Sequence, residues 1–428
     1  MPRWFSIFAA LLLLPAAARA KPGDELTISV MTMEAGDAIY EKFAHNTLRV
    51  QDASTGDDIA YNWGLFDFEE KHFYVNFLLG KLNYWMEGWP GEATARAYAA
   101  DNRSVWVQEL NLAPQQKVKL RDFLRWNALP ENRTYAYNYY TDNCSTRVRD
   151  AVDSVLDGQI RRQLEAKQAG ATFRWHTRRL TRDNVFWYTA LNTVLGPATD
   201  RPINAWEEGF LPIKLMEHLR TVTMRDAEGR EIPLVKSERQ IFKSTRPPEA
   251  SAPPNWIVPY FVVGALLGTG VAASGHLATR GRAGRTAFAV IITAVATLIG
   301  FCGALGLWAW LGTAHSAAWR NENLLGYKPL ALVLAFFVPR LIRRPRRAAK
   351  VAIVLSLVIV ASTLIGILAS PLLPQVNGEP MAFILPVNVG LAYAIWRYAK
   401  TGSNLATKRR SARDDLTRPA GRSDKEAS

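Results

Sequence analysis

The chain carries two hydrophobic patterns, and the change from one to the other falls near residue 250. Before that point, short apolar runs alternate with polar positions or recur at helical spacing, whereas beyond it the apolar runs are long and almost unbroken. A mixed α+β domain is therefore predicted at residues 21–245. The predicted strands are Leu26–Met33, Asn46–Gln51, Ile59–Trp63, Ser104–Leu110 and Thr134–Tyr140, and the predicted helices are Lys71–Leu82, Thr94–Ala100, Pro114–Asn127 and Ser145–Leu156.

The apolar runs predict an all-α transmembrane bundle of about five helices at residues 256–400, after a Pro-rich linker at residues 246–255. A helix of about 20 apolar residues crosses a bilayer core about 30 Å thick, and most of the runs reach this length. The run that begins at Pro329 is short, and burial against its neighbours is the alternative to a full crossing. The predicted spans are Trp256–Ser274, Thr286–Leu311, Pro329–Leu341, Val351–Leu373 and Ala382–Ala399.

The distribution of charge favours five crossings. Residues 255–428 contain 20 basic and 6 acidic residues, whereas residues 21–254 are nearly balanced. With the first domain outside, five crossings place every basic residue of the last part inside except Arg320 and Lys328, as the positive-inside rule requires. We therefore predict a multi-pass protein of the bacterial inner membrane with a periplasmic domain and a disordered cytoplasmic tail at residues 401–428. The membrane explains the basic composition, so no nucleic-acid partner is expected.

The N-terminus predicts export. Arg3 precedes an apolar run from Trp4 to Ala18, and the run ends in the small-x-small pattern of Ala18 and Ala20. A signal peptide is predicted at residues 1–20, with cleavage after Ala20. An uncleaved anchor is the alternative, and it leaves the following domain on the same side.

Cys144 is the one cysteine of the exported part, because Cys302 falls within an apolar run. An unpaired thiol in an oxidising compartment is a candidate nucleophile. Asn143 is a capping residue, and Val148 and Val152 follow at helical spacing, so the thiol is predicted at a helix N-terminus. The dipole there would favour the thiolate, and the same N–H groups would stabilise an oxyanion. The alternative is a buried, inert cysteine.

His45 is the predicted base for this thiol, because it opens a predicted hairpin and has a strand beneath it. A register with Asp52 opposite Asp57 would place Asn62 on the same face as His45, where its amide would orient the imidazole. A register shifted by one residue would turn Asn62 away. This orienting role is inferred from the hairpin alone.

The other histidines of the exported part are predicted to be structural. His72, His176 and His218 show no metal-ligand spacing, and the chain has no pair of neighbouring cysteines. Neither a metal ion nor another cofactor is expected.

Four motifs of the exported part are distinctive when taken together. They are Lys42-Phe-Ala-His45-Asn-Thr-Leu-Arg49, Tyr61-Asn-Trp-Gly-Leu-Phe-Asp-Phe68, Pro130-Glu-Asn-Arg-Thr-Tyr-Ala-Tyr137 and Thr141-Asp-Asn-Cys144-Ser-Thr-Arg-Val-Arg-Asp150. Together they resemble the Lnb family, and the match covers most of residues 25–245. One departure is Ala44, where the resemblance leads us to expect a glycine before the histidine.

The resemblance implies a lipoprotein N-acyltransferase, with Cys144 as nucleophile and His45 as base. Such an enzyme moves an acyl chain from a phospholipid donor, through a thioester, to the α-amino group of a diacylated lipoprotein acceptor. The order of histidine before cysteine is also similar to that of circularly permuted papain-like enzymes, so the periplasmic domain is expected to be a thiol enzyme of that α+β class.

Further residues are candidates for binding the substrate. Arg147 and Arg149, near the helix start, would meet a phosphate headgroup, and a solvated helix face is the alternative. His315, Asn321 and Asn323 lie in a polar loop between two predicted spans, where they would bind headgroups.

Two other functions are consistent with the same residues. A membrane-tethered cysteine peptidase or amidase acting on cell-wall peptide would use Cys144 and His45 with water as acceptor. A non-enzymatic envelope scaffold would keep Cys144 buried and unreactive. The membrane spans favour the acyltransferase, since both its donor and its acceptor lie in the bilayer.

Overall fold

The computed structural model describes residues 22–226, 228–343 and 345–416, which form two compact units. The first unit contains residues up to 68, 82–169 and 204–247, and the second contains residues 69–81, 170–203 and those from 248 onward. Two segments before the linker, residues 69–81 and 170–203, therefore belong to the second unit. A single domain boundary at residue 245 does not include them. The signal peptide predicted at residues 1–20 lies outside the described residues.

A seven-stranded antiparallel sheet forms the centre of the first unit, with the order β11-β5-β1-β2-β3-β4-β6. Two further sheets have two strands each, β9 with β10 and β7 with β8. The strands are β1 (Leu26–Met33), β2 (His45–Asp52), β3 (Asp57–Leu65), β4 (Asn83–Pro90), β5 (Val105–Leu110), β6 (Thr134–Ala136), β7 (Gln168–Thr172), β8 (Pro202–Asn204), β9 (Thr223–Arg225), β10 (Glu231–Pro233) and β11 (Val235–Phe242).

The described part of the chain contains helices α1 to α14, and α2 to α5, α8 and α9 belong to the first unit. They are α1 (Phe73–Leu79), α2 (Gly91–Ala100), α3 (Pro114–Asn127), α4 (Cys144–Val155), α5 (Gln159–Glu165), α6 (Phe173–Leu180), α7 (Val185–Val194), α8 (Ala205–Glu208), α9 (Pro212–Leu219), α10 (Ile257–Leu277), α11 (Arg282–Gly312), α12 (Leu330–Arg343), α13 (Pro345–Leu368) and α14 (Gly378–Leu416).

Helices cover both faces of the large sheet. Apolar side chains of α3, α4 and α9 share one buried cluster with Ile28 and Leu48, while Ala95 of α2 packs with Met31 and Val107 in another. Successive side chains of a strand point to opposite faces, so β1 is buried almost throughout. This arrangement holds the start of β2 and the start of α4 on a rigid support.

The predicted α+β class is confirmed, and β1 and α3 have the predicted bounds. The predicted strand Thr134–Tyr140 is wrong beyond Ala136. There the Asn138 side chain accepts hydrogen bonds from the N–H groups of Tyr140 and Thr141, which closes a turn instead. Strands β4 and β11 of the large sheet and the four short strands β7 to β10 were not predicted.

The second unit holds the apolar helices. Four of those described are long and apolar enough to cross a membrane: Ile257–Leu277, Arg282–Gly312, Ala348–Leu368 and Gly378–Thr401. The number rises to five if Ser316–Leu325 and Leu330–Ile342, which meet at 44°, form one bent span. This bent pair corresponds to the short run predicted at Pro329.

Helix α14 continues to Leu416, past the start of the tail that was predicted to be disordered at residues 401–428. Residues 402–416 are rich in Ala, Lys, Arg and Leu, which have high helix propensity, and contain no proline, so the helix continues into them. Residues 417–428 lie outside the described residues.

Helices α6 and α7 belong to the second unit because a buried carboxylate of α14 binds them. Glu379 is 3% exposed and accepts hydrogen bonds from Arg178 at 2.6 Å, from the Tyr188 hydroxyl at 2.8 Å and from the Asn192 amide at 2.9 Å. The N–H of Trp256 also donates to it, at 2.9 Å. A buried charge with this many donors fixes these segments to one another.

Candidate active site

The β2–β3 hairpin has the register that brings His45 and Asn62 together. Asp52 lies opposite Asp57, and Thr47 lies opposite Asn62, which puts Asn62 on the face that His45 occupies two residues away. The Nε2 atom of His45 is 3.4 Å from Oδ1 of Asn62. The predicted proximity of the two side chains is therefore confirmed.

The amide of Asn62 is itself held in one orientation. Its Nδ2 donates to the carbonyl oxygen of Ala60 at 2.9 Å, so its Oδ1 faces the imidazole. An acceptor at that position favours the tautomer with the proton on Nε2 of His45. Nδ1 is then the nitrogen that can accept a proton.

Cys144 is the first residue of α4, as predicted. Oδ1 of Asn143 accepts hydrogen bonds from the N–H groups of Ser145 and Thr146, each at 3.0 Å. The N–H of Asn143 donates in return to the Thr146 hydroxyl at 2.7 Å, which completes a capping box. The Asn-Cys-Ser-Thr sequence thus fixes the position of the thiol.

The start of β2 and the start of α4 are in direct contact. The Asn46 amide donates to the Ser145 hydroxyl at 3.1 Å, and the N–H of Asn46 hydrogen-bonds the Cys144 sulfur. Residues 45 and 46 therefore lie beside residues 144 and 145. The predicted nucleophile and the predicted base belong to one site.

His45 is held neutral at physiological pH. Burial and, to a smaller extent, the positive charge of Arg103 lower the pKa of its imidazole to about 4, and the hydrogen bond with Asn62 opposes both. Arg103 lies over the ring of Tyr98 at 4.5 Å, and this ring stacks on His45 with centroids 6.0 Å apart. A neutral imidazole can accept the thiol proton.

The expectation that the helix start favours the thiolate is wrong for the substrate-free site. Burial raises the pKa of Cys144 to about 11, although N–H groups of Asn46, Ser145 and Cys144 itself lower it. Desolvation of the charged sulfur outweighs these donors. Both the thiol of Cys144 and the imidazole of His45 are therefore neutral in this state.

Gly64 lies beside Cys144 and leaves a small space there because it has no side chain. Its φ of +90° is in the left-handed region that favours glycine. A β-carbon at this residue would stand 3.5 Å from Cβ of Cys144, 3.7 Å from the ring of Tyr137 and 3.9 Å from the Tyr135 hydroxyl. These groups surround one small space beside the sulfur-bearing carbon.

The two arginines predicted to bind a headgroup have different environments. Arg147 lines a cavity of about 340 Å³ along α4. Asp142 forms an ion pair with its guanidinium, so the two side chains together carry no net charge. Arg149 is buried, donates to the carbonyl of Trp206 and to Asp150, and lies over the Trp206 ring. The prediction that Arg149 binds a headgroup is wrong, because the N–H donors and the planar face of its guanidinium contact other residues of the fold.

The loop residues predicted to bind headgroups bind backbone of the second unit instead. The Asn321 and Asn323 amides donate to the carbonyl of Thr193, and both residues are buried. His315 contacts the carbonyl of Phe77 at 2.8 Å. The polar loop therefore holds α1 and the end of α7. The predictions for the buried Asn321 and Asn323 are corrected, and headgroup binding by His315 stays a prediction.

The remaining histidines serve packing. His218 pairs with Glu208 at 2.7 Å, and His176 is fully buried beside Arg179.

The sequence did not reveal Tyr98 and Arg103 as neighbours of His45, because no local pattern marks them. Tyr135 and Tyr137 alternate within the Pro130–Tyr137 motif, and this spacing in a strand could have indicated that both point to one face.

Comparison with known families agrees with this architecture. The model of the Lnb N-terminal periplasmic domain matches residues 15–183, and that of the Lnb transmembrane domain matches residues 252–400. No curated protein and no solved structure matches the chain. The two matches show a membrane protein with a periplasmic N-terminal domain, and the chain belongs to the Lnb family.

Proposed function

We propose that this member of the Lnb family is a lipoprotein N-acyltransferase. The observation that carries the proposal is that the start of β2, where His45 contacts Asn62, lies against Cys144 at the start of α4, in a chain whose other unit contains apolar helices of membrane-spanning length. The acyl donor would be a phospholipid, and the acceptor would be the α-amino group of a diacylated lipoprotein. Both substrates are held in a bilayer.

The chemistry follows from the protonation states of the two residues. His45 takes the proton of the Cys144 thiol as the sulfur bonds to the ester carbon, and the carbonyl electron pair moves to oxygen. Collapse of this intermediate breaks the ester C–O bond, and the imidazolium returns the proton to the leaving lysophospholipid oxygen. A neutral amine then attacks the thioester and loses a proton to His45, the C–S bond breaks, and the imidazolium returns that proton to the leaving sulfur, which restores the thiol.

A cluster of aromatic rings supports a lipid substrate. Tyr40 is 58% exposed and Phe68 is 48% exposed, and both rings contact Phe66. The cluster continues from Phe66 through Tyr84, with centroids 5.0 Å apart, to Tyr137 at 4.5 Å. Tyr137 borders the space beside Cys144, so the cluster leads from the surface of the first unit to the thiol and could accommodate an acyl chain.

The second unit also presents apolar side chains outside its long helices. On α1, Tyr74 is 67% exposed and Leu78 is 55% exposed; on α7, Val185 and Phe186 are exposed while Tyr188 faces the buried Glu379. Hydrogen bonds join both helices to loops of the apolar bundle. Apolar faces fixed in this way suit the membrane interface, where a lipid donor would be found.

The peptidase or amidase alternative uses the same residues with water as acceptor. It gives no role to the aromatic cluster or to the exposed faces of α1 and α7. A scaffold with an inert thiol gives no role to an oriented imidazole beside Cys144. Trapping the intermediate separates these possibilities.

The test is formation of an acyl-enzyme. Full-length protein incubated with phospholipid should gain the mass of one acyl chain on Cys144, and hydroxylamine should remove it because it cleaves thioesters. Cys144→Ala and His45→Ala should each lose the adduct, and the double variant should be little worse than either, since nucleophile and base act as one unit. A wild-type protein that never carries the adduct would exclude the proposed mechanism.

A further inference from the structure

Tyr135 has a buried hydroxyl that the fold does not use. Among the described residues this oxygen has no hydrogen-bond partner. A buried hydroxyl left in this state costs free energy, typically about 1–3 kcal/mol, so an unused one in a defined place suggests a ligand that completes it. Its place is the space bounded by Gly64, Tyr137 and the Cβ atom of Cys144.

Two backbone donors at the start of α4 already have an acceptor. The N–H groups of Ser145 and Thr146 donate to the capping Asn143 side chain, and those of Cys144, Ser145 and Asn46 surround the sulfur. A carbonyl carbon bonded to that sulfur would carry an oxygen that needs donors of its own. With the N–H groups of Ser145 and Thr146 used in the cap, a donor from outside the helix would add to what the helix start offers this oxygen.

The ring of Tyr135 is held from two sides. Tyr135 lies opposite Tyr84 where β4 pairs with β6. The guanidinium carbon of Arg147 lies 4.2 Å from the centre of the ring, and Asp142 holds that guanidinium. The cation attracts electron density from the ring and strengthens the hydroxyl as a donor. Arg147 is thus a positioning residue.

We propose that Tyr135 is a catalytic residue that donates its hydroxyl hydrogen bond to the oxyanion formed on Cys144. As the sulfur–carbon bond forms, the π pair of the carbonyl moves onto its oxygen, and the tyrosine stabilises the charge without transferring its proton. When the ester C–O bond breaks, the pair returns and the hydrogen bond weakens. This inference rests on the proposed covalent chemistry of Cys144 but not on the identity of donor or acceptor.

The protonation state of Tyr135 suits a donor. Burial raises the pKa of its hydroxyl well above the ordinary value of 10, and the nearby Cys144 raises it further, while Arg147 opposes the shift. The hydroxyl therefore keeps its proton throughout the working pH range.

The experiment compares two reactions of the same sulfur in Tyr135→Phe. Acylation by a p-nitrophenyl ester passes through an oxyanion, whereas alkylation by iodoacetamide does not. In full-length protein with Cys302→Ala, loss of one oxyanion donor should slow acylation about 100-fold and leave alkylation within about twofold. Tyr61→Phe is the matched control, because Tyr61 is a buried sheet tyrosine whose hydroxyl has Arg125 as partner; its acylation rate should not change.

The remaining outcomes separate failure of this inference from failure of the proposed function. Unchanged acylation means that Tyr135 does not contact the oxyanion, and an equal loss of acylation and alkylation means that it only shapes the site. If the ester acylates Cys144 in a Tyr135-dependent way but no phospholipid does, the proposed function fails while this inference stands. If no ester acylates the wild-type thiol, both fail.

Discussion

The imidazole of His45 and the amide of Asn62 face each other across the β2–β3 hairpin, with Nε2 and Oδ1 3.4 Å apart. The contact sets which imidazole nitrogen is free to take a proton. It is a consequence of strand register, since a slip of one residue would place the two side chains on opposite faces.

The contact between His45 and Asn62 should affect how the rate of Cys144 acylation falls at acidic pH, which is the acid limb of the pH–rate profile. In the proposed mechanism neutral His45 is the base, so activity should be lost as pH falls through about 4, well below the ordinary histidine value. Asn62→Asp places a carboxylate beside the imidazole, favours the charged form and should move the limb to higher pH. The measurement is the pH dependence of Cys144 acylation by a p-nitrophenyl ester.

Asn111→Asp provides the control for this shift, because Asn111 is far along the chain and its amide bonds the exposed carbonyl of Pro233. Its acid limb should stay near pH 4. A limb that does not move in Asn62→Asp would remove the orienting role of Asn62.

Replacing Ala44 by glycine should stabilise the first unit. Ala44 has φ +66°, a conformation that costs an L-residue about 1–2 kcal/mol. Glycine also has more conformational entropy in the unfolded chain, which reduces the stabilisation by about 0.5–1 kcal/mol. A net increase of about 0.5–1 kcal/mol in the free energy of unfolding is therefore expected. Urea unfolding followed by tryptophan fluorescence measures it.

A second glycine variant provides the comparison. Ala53, in the exposed turn after β2, is not among the positive-φ residues. Ala53→Gly should lose about 0.5–1 kcal/mol through unfolded-state entropy alone. Equal effects of the two variants would show that backbone strain at Ala44 is unimportant.

Much of this site follows from local sequence. The capping pattern predicted where α4 begins, and one of the two registers considered for the hairpin is the one that joins His45 to Asn62. The glycine that the family resemblance led us to expect falls at the strained position of Ala44. Such features depend on a few neighbouring residues.

Other features depend on tertiary packing, which no local pattern encodes. The direction of the thiol pKa shift was wrong because burial, not the helix start, dominates at Cys144. Asn321 and Asn323 were taken for ligand-binding residues because their backbone partner, Thr193, lies more than a hundred residues away in the chain. Arg103 shapes the charge of His45 from outside both motifs.

Removing the carboxylate of Glu379 should strongly destabilise the second unit. Glu379→Ala leaves Arg178, which is largely buried, without this carboxylate, and breaking a buried pair typically costs about 3–5 kcal/mol. Glu165→Ala breaks the exposed pair with Arg161 and should cost less than about 1 kcal/mol. Thermal unfolding in detergent compares them, and equal melting temperatures would contradict a structural role for this buried carboxylate.

Membrane topology gives an independent prediction from the charge asymmetry. A reporter active only in the periplasm should work when fused near residue 250 and should fail when fused after Lys400, because the basic segments between the spans stay inside. A cytoplasmic reporter should show the opposite pattern. Activity of the periplasmic reporter after Lys400 would rule out five crossings.

Transfer of an acyl chain to a lipopeptide tests the central claim most directly. The full-length protein would be reconstituted in vesicles of phospholipid with deuterated acyl chains, together with a diacylated peptide that begins with cysteine. Mass spectrometry should show one deuterated chain in amide linkage on the α-amino group with wild-type protein and none with Cys144→Ala. An unmodified peptide, with the deuterated chain released as free fatty acid, would contradict the account and identify water as the acceptor.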